Sequence, residues 1–158
     1  MAAWIMQLNP IRLDVDGYVQ ATNLIQGKVI PHFRNSVKQG DRVYLWRADG
    51  GRRGTGGVIA LGRVTEEPRW VEPSPDSLVA RFWRKGQPSP RWSATVHLDE
   101  RRLTEEAGML LRVDLEQHPT LATLSVLTFR AASTFSLTEQ QDKDLFDLWK
   151  DAGSPLAG

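Results

Sequence analysis

Apolar positions in this chain come in short, closed runs, and the runs are mostly strand-like. Ala3 to Leu8 is a nearly continuous apolar segment stopped by Asn9-Pro10, the pattern of a buried strand meeting a turn. Gln39-Gly40-Asp41 signals a second turn, and Arg42 to Arg47 follows it with the β-branched and aromatic richness of a strand. Asp49 to Gly54 is a glycine-rich connection, after which Gly56 to Val64 resumes an extended apolar pattern, so these two strands form a hairpin. The glycines inside that second strand call for tight curvature or close backbone approach.

Elsewhere the pattern is weaker. Asp14 to Leu24 has no clear period and is expected to be loop with room for one helical turn. His32 to Val37 is polar and basic. Pro68 to Pro75 and Gly86 to Pro90 read as loop excursions, with Leu78 to Trp83 an edge strand between them. Ala94 to Leu98 and Leu110 to Leu115 suit strands, Thr104 suits the cap of a short helix opening with Glu105 and Glu106, and Leu121 to Phe129 continues the apolar pattern. Thr138 and Gln141 make a capping box for a helix from Glu139 to about Lys150, with Leu145, Phe146, Leu148 and Trp149 on one apolar face. The expectation is an α+β domain, mostly β: a strongly curved mixed β-barrel with a few short helices and a C-terminal helix, spanning 1–152, then a flexible tail at 153–158. No internal repeat is visible.

Length and composition agree with one globular domain: 158 residues, 41% hydrophobic and 25% charged. The absence of cysteine excludes a disulfide framework, a thiolate zinc site and a cysteine nucleophile, and fits a reducing cytoplasm. Neither a signal-peptide pattern nor a membrane-spanning run is present, so a cytoplasmic location and no membrane partner are expected. Net charge is only +1, but its distribution is uneven. Lys28, Arg34, Lys38, Arg42, Arg47, Arg52, Arg53 and Arg63 face only Asp41 and Asp49 within the same stretch, while acids collect between Glu139 and Asp151.

Catalytic patterns are missing. His32, His97 and His118 lie far apart, so no metal is expected. Gly54-Thr55-Gly56-Gly57 lacks the lysine and following helix of a phosphate loop, and no Gly-x-Ser-x-Gly elbow organises a triad. Glu66-Glu67, Asp99-Glu100 and Glu105-Glu106 are sequence neighbours that a strand would point to opposite faces. No cofactor and no enzymatic activity are expected.

What the chain does carry is tryptophan beside arginine: Trp46-Arg47, Arg69-Trp70, Trp83-Arg84 and Arg91-Trp92. An indole face stacks on any base for about 1–3 kcal/mol, and a guanidinium contacts phosphate. Trp4 and Trp149 read as core. Trp46 closes a strand next to the basic glycine-rich loop, where a pocket mouth can form.

Three segments together, Ala3-Trp4-Ile5-Met6-Gln7-Leu8-Asn9-Pro10, Val37 to Arg47 and Gly57 to Val64, resemble the EVE domain signature, and Thr134-Phe135-Ser136-Leu137-Thr138 before a helix is similar to that family's C-terminal end. The resemblance covers nearly the whole chain. It implies a PUA-like barrel related to YTH and ASCH domains, whose members are thought to bind modified bases in an aromatic pocket, some of them fused to nucleases that attack modified DNA. By the same resemblance Trp46 matches the strand-end tryptophan, Gly40 and Asp41 the turn, and Phe33 an aromatic before it. Lys28 stands where many such domains have tryptophan, and Ser133-Thr134-Phe135 where an asparagine often precedes the phenylalanine.

The resulting expectation is a non-catalytic reader of an unpaired or flipped base, 5-methylcytosine or 5-hydroxymethylcytosine in DNA being the leading ligands and DNA ranking ahead of RNA. The base pocket is expected at Trp46, Phe33, Lys28, Asp41 and Trp4, and phosphate contacts at Arg47, Arg52, Arg53 and Arg34. A separate nuclease is a candidate partner. The alternative is a small-molecule or protein-interaction module that uses the same pocket.

Overall fold

The structure, a computed structural model, describes residues 1–129 and 131–153. Seven strands form one sheet: β1 (Ala3–Leu8), β2 (Leu24–Lys28), β3 (Arg42–Arg47), β4 (Gly57–Val71), β5 (Arg91–Arg101), β6 (Leu110–Leu111) and β7 (Thr134–Ser136). Four α-helices accompany them: α1 (Val15–Ala21), α2 (Leu78–Arg81), α3 (Arg112–Glu116) and α4 (Glu139–Gly153). The sheet order is β2-β5-β4-β3-β1-β7, with β6 on β4. Only β1 and β3 run parallel; every other pair is antiparallel.

The expected α+β class and curved mixed sheet are what the chain forms. The barrel is not closed by a ladder, because the path ends at β2 on one side and β7 on the other. A side chain spans the gap instead. The buried Thr134 hydroxyl donates to the Lys28 carbonyl at 2.9 Å and accepts from the Ile30 amide at 3.1 Å. Curvature comes from β4, whose pairing with β5 shifts register at Leu61/Gly62 and twice more toward its end. At Gly62 a Cβ would lie 2.2 Å from the His97 carbonyl oxygen, so glycine is required for that approach.

Both faces of the central strands are buried. Trp4, Met6, Val43 and Leu45 point into one core with Val15, Tyr18 and Val19 of α1, and Ala3, Ile5, Tyr44 and Trp46 point into a second core. The second core is roofed by Leu145 and Trp149 of α4, Leu115 of α3, and Leu121, Leu124 and Val126 from two 3₁₀ turns. The capping box forms as expected: the Gln141 amide donates to Thr138 Oγ1 at 3.1 Å and the Thr138 amide to Gln141 Oε1 at 3.0 Å.

Several expected elements differ. Residues 14–24 hold a two-turn helix capped by Asp14, whose Oδ1 accepts from the Gly17 amide, because Tyr18 and Val19 gain a core to bury in. Leu78 to Arg81 is helix rather than edge strand, capped by Ser77. The strand expected at Leu110 to Leu115 ends at Leu111 and turns into α3. Thr104 caps a turn instead of a helix. β4 continues through Pro68 to Val71, with the proline placed at an irregularity of the ladder where no amide is needed. Of the expected tail, 154–158 lies outside the described residues.

Candidate nucleic-acid interface

The gap between β2 and β7 opens into a cleft of about 700 Å³. One wall is the end of β1 and the segment Ala131 to Ser133, held by Gln7, whose amide donates to the Ser133 carbonyl and whose Nε2 donates to the Ala132 carbonyl, both at 2.8 Å. Lys28, at the end of β2, forms another edge. Opposite lie Trp83, Lys85 and Arg91, from the long connection between β4 and β5 and from the start of β5.

Local chain pairing aims Trp83 at this space. The Asp14 amide donates to the Phe82 carbonyl at 2.8 Å, the Arg84 amide to the Arg12 carbonyl at 2.9 Å, and Leu13 pairs with Trp83 as an isolated bridge. Arg84 Nε also donates to the Pro10 carbonyl at 2.6 Å. The turn after β1 therefore anchors the Trp83 segment and carries Arg12 to the same cleft. Arg91 stacks its guanidinium 5.3 Å from the centre of the Trp83 ring.

Electrostatically the cleft is one-signed. Arg12, Lys28, Lys85 and Arg91 line it, and no aspartate or glutamate among the described residues does. None of the four forms an ion pair with a described carboxylate. Burial lowers the Lys28 pKa below its ordinary value, and the neighbouring charges of Arg91 and Arg12 lower it further; burial and Arg12 act on Arg91 in the same direction.

Of the five residues expected at a base pocket, Lys28 alone lines this cleft. Trp46 is a correction. It is 0% exposed in the α4-covered core, with Arg112 stacked 5.6 Å from its ring centre, because the alternation of β3 turns Tyr44 and Trp46 toward the helix face. Its Nε1 has no hydrogen-bond partner among the described residues. Trp4 is buried in the other core and donates through Nε1 to Asp41 Oδ2 at 2.9 Å. Asp41 is buried and committed, accepting also from the Lys38 amide at 2.9 Å and the Ala2 amide at 3.1 Å. Phe33 packs edge-on against Trp4, ring centres 5.0 Å apart, and does not line the cleft.

The expected phosphate contacts divide similarly. Arg47 is a correction: its side chain is only 12% exposed, pairs with Asp16 at 2.7 Å and donates to the Thr55 carbonyl at 3.1 Å. Arg52 and Arg53 are exposed on the glycine-rich loop, and Arg34 is exposed with its guanidinium 5.7 Å from the Trp92 ring centre. Gly50, at φ +59°, lets that loop press against the turn after β1, where a Cβ would come within 2.7 Å of Pro10. Arg52 lines a separate cleft with Arg47 and Arg84, where Asp14, Asp16 and Asp49 also stand. The site residues not anticipated are Trp83, Arg91, Arg12 and Lys85. The first two carried a signal in the Trp83-Arg84 and Arg91-Trp92 pairs; Arg12 and Lys85 carried none.

Among the described residues no group of three or more His, Asp or Glu is placed to hold a metal, and no helix is long and apolar enough to cross a membrane.

No protein-family model matches the chain, and no curated protein matches it. Solved structures do. A hypothetical protein from Leishmania major shares 16% identity at TM-score 0.69, covering 98% of each chain. Human THYN1, in complex with 5-methylcytosine-containing DNA, shares 12% identity at TM-score 0.65 over 95% of this chain and 98% of its own. The YTH domain of Zygosaccharomyces rouxii MRB1, in complex with N6-methyladenosine RNA, shares 11% at TM-score 0.54 over 99% and 87%. The chain therefore shares its fold with these structures, THYN1 and the YTH domain among them, in line with the relationship that the resemblance of the sequence segments implies.

Proposed function

We propose that this chain is a nucleic-acid-binding module that takes an unpaired or flipped base into the cleft between β2 and β7, against Trp83, with Arg12, Lys28 and Arg91 on the adjoining phosphates. The observation that carries this reading is the cleft itself: one aromatic wall, four cations and, among the described residues, no carboxylate, at the place where the sheet does not close. A cleft lined by one sign of charge concentrates an anionic ligand, and an indole beside a guanidinium suits a base beside its phosphate.

Two proteins of the same fold support a modified base as the ligand, one bound to 5-methylcytosine DNA and one to N6-methyladenosine RNA. We infer a cytosine substituted at C5, methyl or hydroxymethyl, in DNA ahead of RNA. Extraction of the base costs a few kcal/mol, which stacking and edge hydrogen bonds must recover. Arg52 and Arg53, exposed on the glycine-rich loop, are further candidates for phosphate contact, and Arg34 adds a cation beside Trp92. The module reads rather than cuts, so a separate nuclease would supply any cleavage, in the cytoplasm.

The test is binding of short oligonucleotides, unmodified, 5-methylated or 5-hydroxymethylated, at two salt concentrations, with Trp83→Ala and Arg12→Gln variants. Three phosphate contacts predict a loss of about tenfold or more between 50 and 200 mM salt. Trp83→Ala should remove the preference for the modified base and Arg12→Gln should lower the slope of the salt dependence by about a third. Binding that is indifferent to both variants would place the interface elsewhere.

A further inference from the structure

Four cations without an ion-pair partner among the described residues are more than one stacked base requires, although Arg91 Nε also donates to the Ser89 carbonyl at 2.8 Å. A flipped base enters a pocket while its phosphodiesters, each with a single charge, stay on the strand outside. This cleft instead gathers Arg12, Lys28, Lys85 and Arg91 into its own lining and has a volume of about 700 Å³, in the range that encloses a whole drug-sized ligand. The charges are close enough to be felt: beyond the effect of burial, Arg91 and Arg12 disfavour the charged form of Lys28, and Arg12 that of Arg91. An anion bound among them would relieve this mutual repulsion. A phosphomonoester carries close to two negative charges near neutral pH and offers three acceptor oxygens, which suits several cations better than one.

Resting on the reading of this cleft as the nucleic-acid site, we propose that its occupant is a terminal nucleotide bearing a phosphomonoester, the base on Trp83 and the phosphate among Lys28, Arg91 and Arg12, rather than an internal nucleotide flipped from mid-strand. The same chemistry is presented by a phosphorylated strand end and by a free nucleoside monophosphate.

The experiment compares one short single-stranded oligonucleotide with 5′-hydroxyl, 5′-phosphate or 3′-phosphate ends, and deoxycytidine with its 5′-monophosphate, on the whole chain and on Lys28→Met and Arg91→Gln. A phosphorylated end should bind at least tenfold tighter than the hydroxyl end, with the gain lost in both variants. Oligonucleotides that bind equally whatever their ends would overturn the inference while leaving the nucleic-acid reading intact. Failure of every oligonucleotide, with the monophosphate still bound in a Lys28-dependent way, would overturn the nucleic-acid reading and keep a phosphomonoester site. Binding of none of these ligands would end both.

Discussion

Thr134 and Lys28 lie 106 residues apart in sequence, yet the Thr134 hydroxyl donates to the Lys28 carbonyl at 2.9 Å while accepting from the Ile30 amide. With that one side chain the two ends of the sheet meet without a ladder, and the position of Lys28 on the cleft depends on it. Thr134→Val keeps the shape but removes the partner of the half-buried Ile30 amide and of the Lys28 carbonyl, which should cost about 1 kcal/mol. Thermal melting should show the loss, Thr134→Ser should largely avoid it, and ligand binding should weaken in the valine variant more than in the serine one.

Asp41 holds three donors at once, the Trp4 indole and the amides of Ala2 and Lys38. Asp41→Ala would strand all three in or near the core and should destabilise by about 3 kcal/mol or more. A chemical-denaturation midpoint within error of the parent would contradict its assignment as a structural hub.

Trp46→Ala should behave as a core truncation, losing about 3–5 kcal/mol. Trp46→Phe retains most of the apolar volume and removes an indole N–H that has no partner among the described residues, so it should fold and bind ligand as the parent does. Specific loss of binding in a well-folded Trp46→Phe protein would restore this residue to the site.

The sheet was legible where the signal is local. β1 and β3 have the ends that their apolar runs and bounding turns imply, and the C-terminal helix begins at its capping box. β2 was not legible, because Leu24–Lys28 holds only two apolar side chains before a glutamine, a glycine and a lysine and becomes a strand only by pairing with β5; its Gly27 faces Met6, where a Cβ would come within 2.4 Å of the sulfur. The site was half legible for a related reason. Lys28 was expected from the resemblance, whereas Trp83 and Arg91 stood out only as members of tryptophan-arginine pairs and were not assigned to the site, because which of six tryptophans faces solvent is decided by what packs on each sheet face. Trp46 and Trp149 are consumed by the helix-covered core, a long-range fact that no local pattern of β3 contains.

Lys28 supplies a pH prediction. Its folded pKa lies below the ordinary 10.5, so folding disfavours its charge, and the penalty is present at neutral pH and relieved as pH rises through the lowered value toward 10.5. Lys28→Met should therefore raise the melting temperature at pH 7, and the gain should shrink at alkaline pH. Anion binding should run the opposite way, weakening as pH rises before 10.5 is reached and ceasing to do so in Lys28→Arg. A melting temperature lowered by Lys28→Met would contradict the crowded-cation account.

The most direct test of the cleft as the site is to follow the six tryptophan indole N–H signals by NMR while a short 5′-phosphorylated single strand containing 5-methylcytosine is added. The account predicts that the Trp83 signal moves and that those of Trp46 and Trp149 stay in place. A moving Trp46 with an unmoved Trp83 would contradict it.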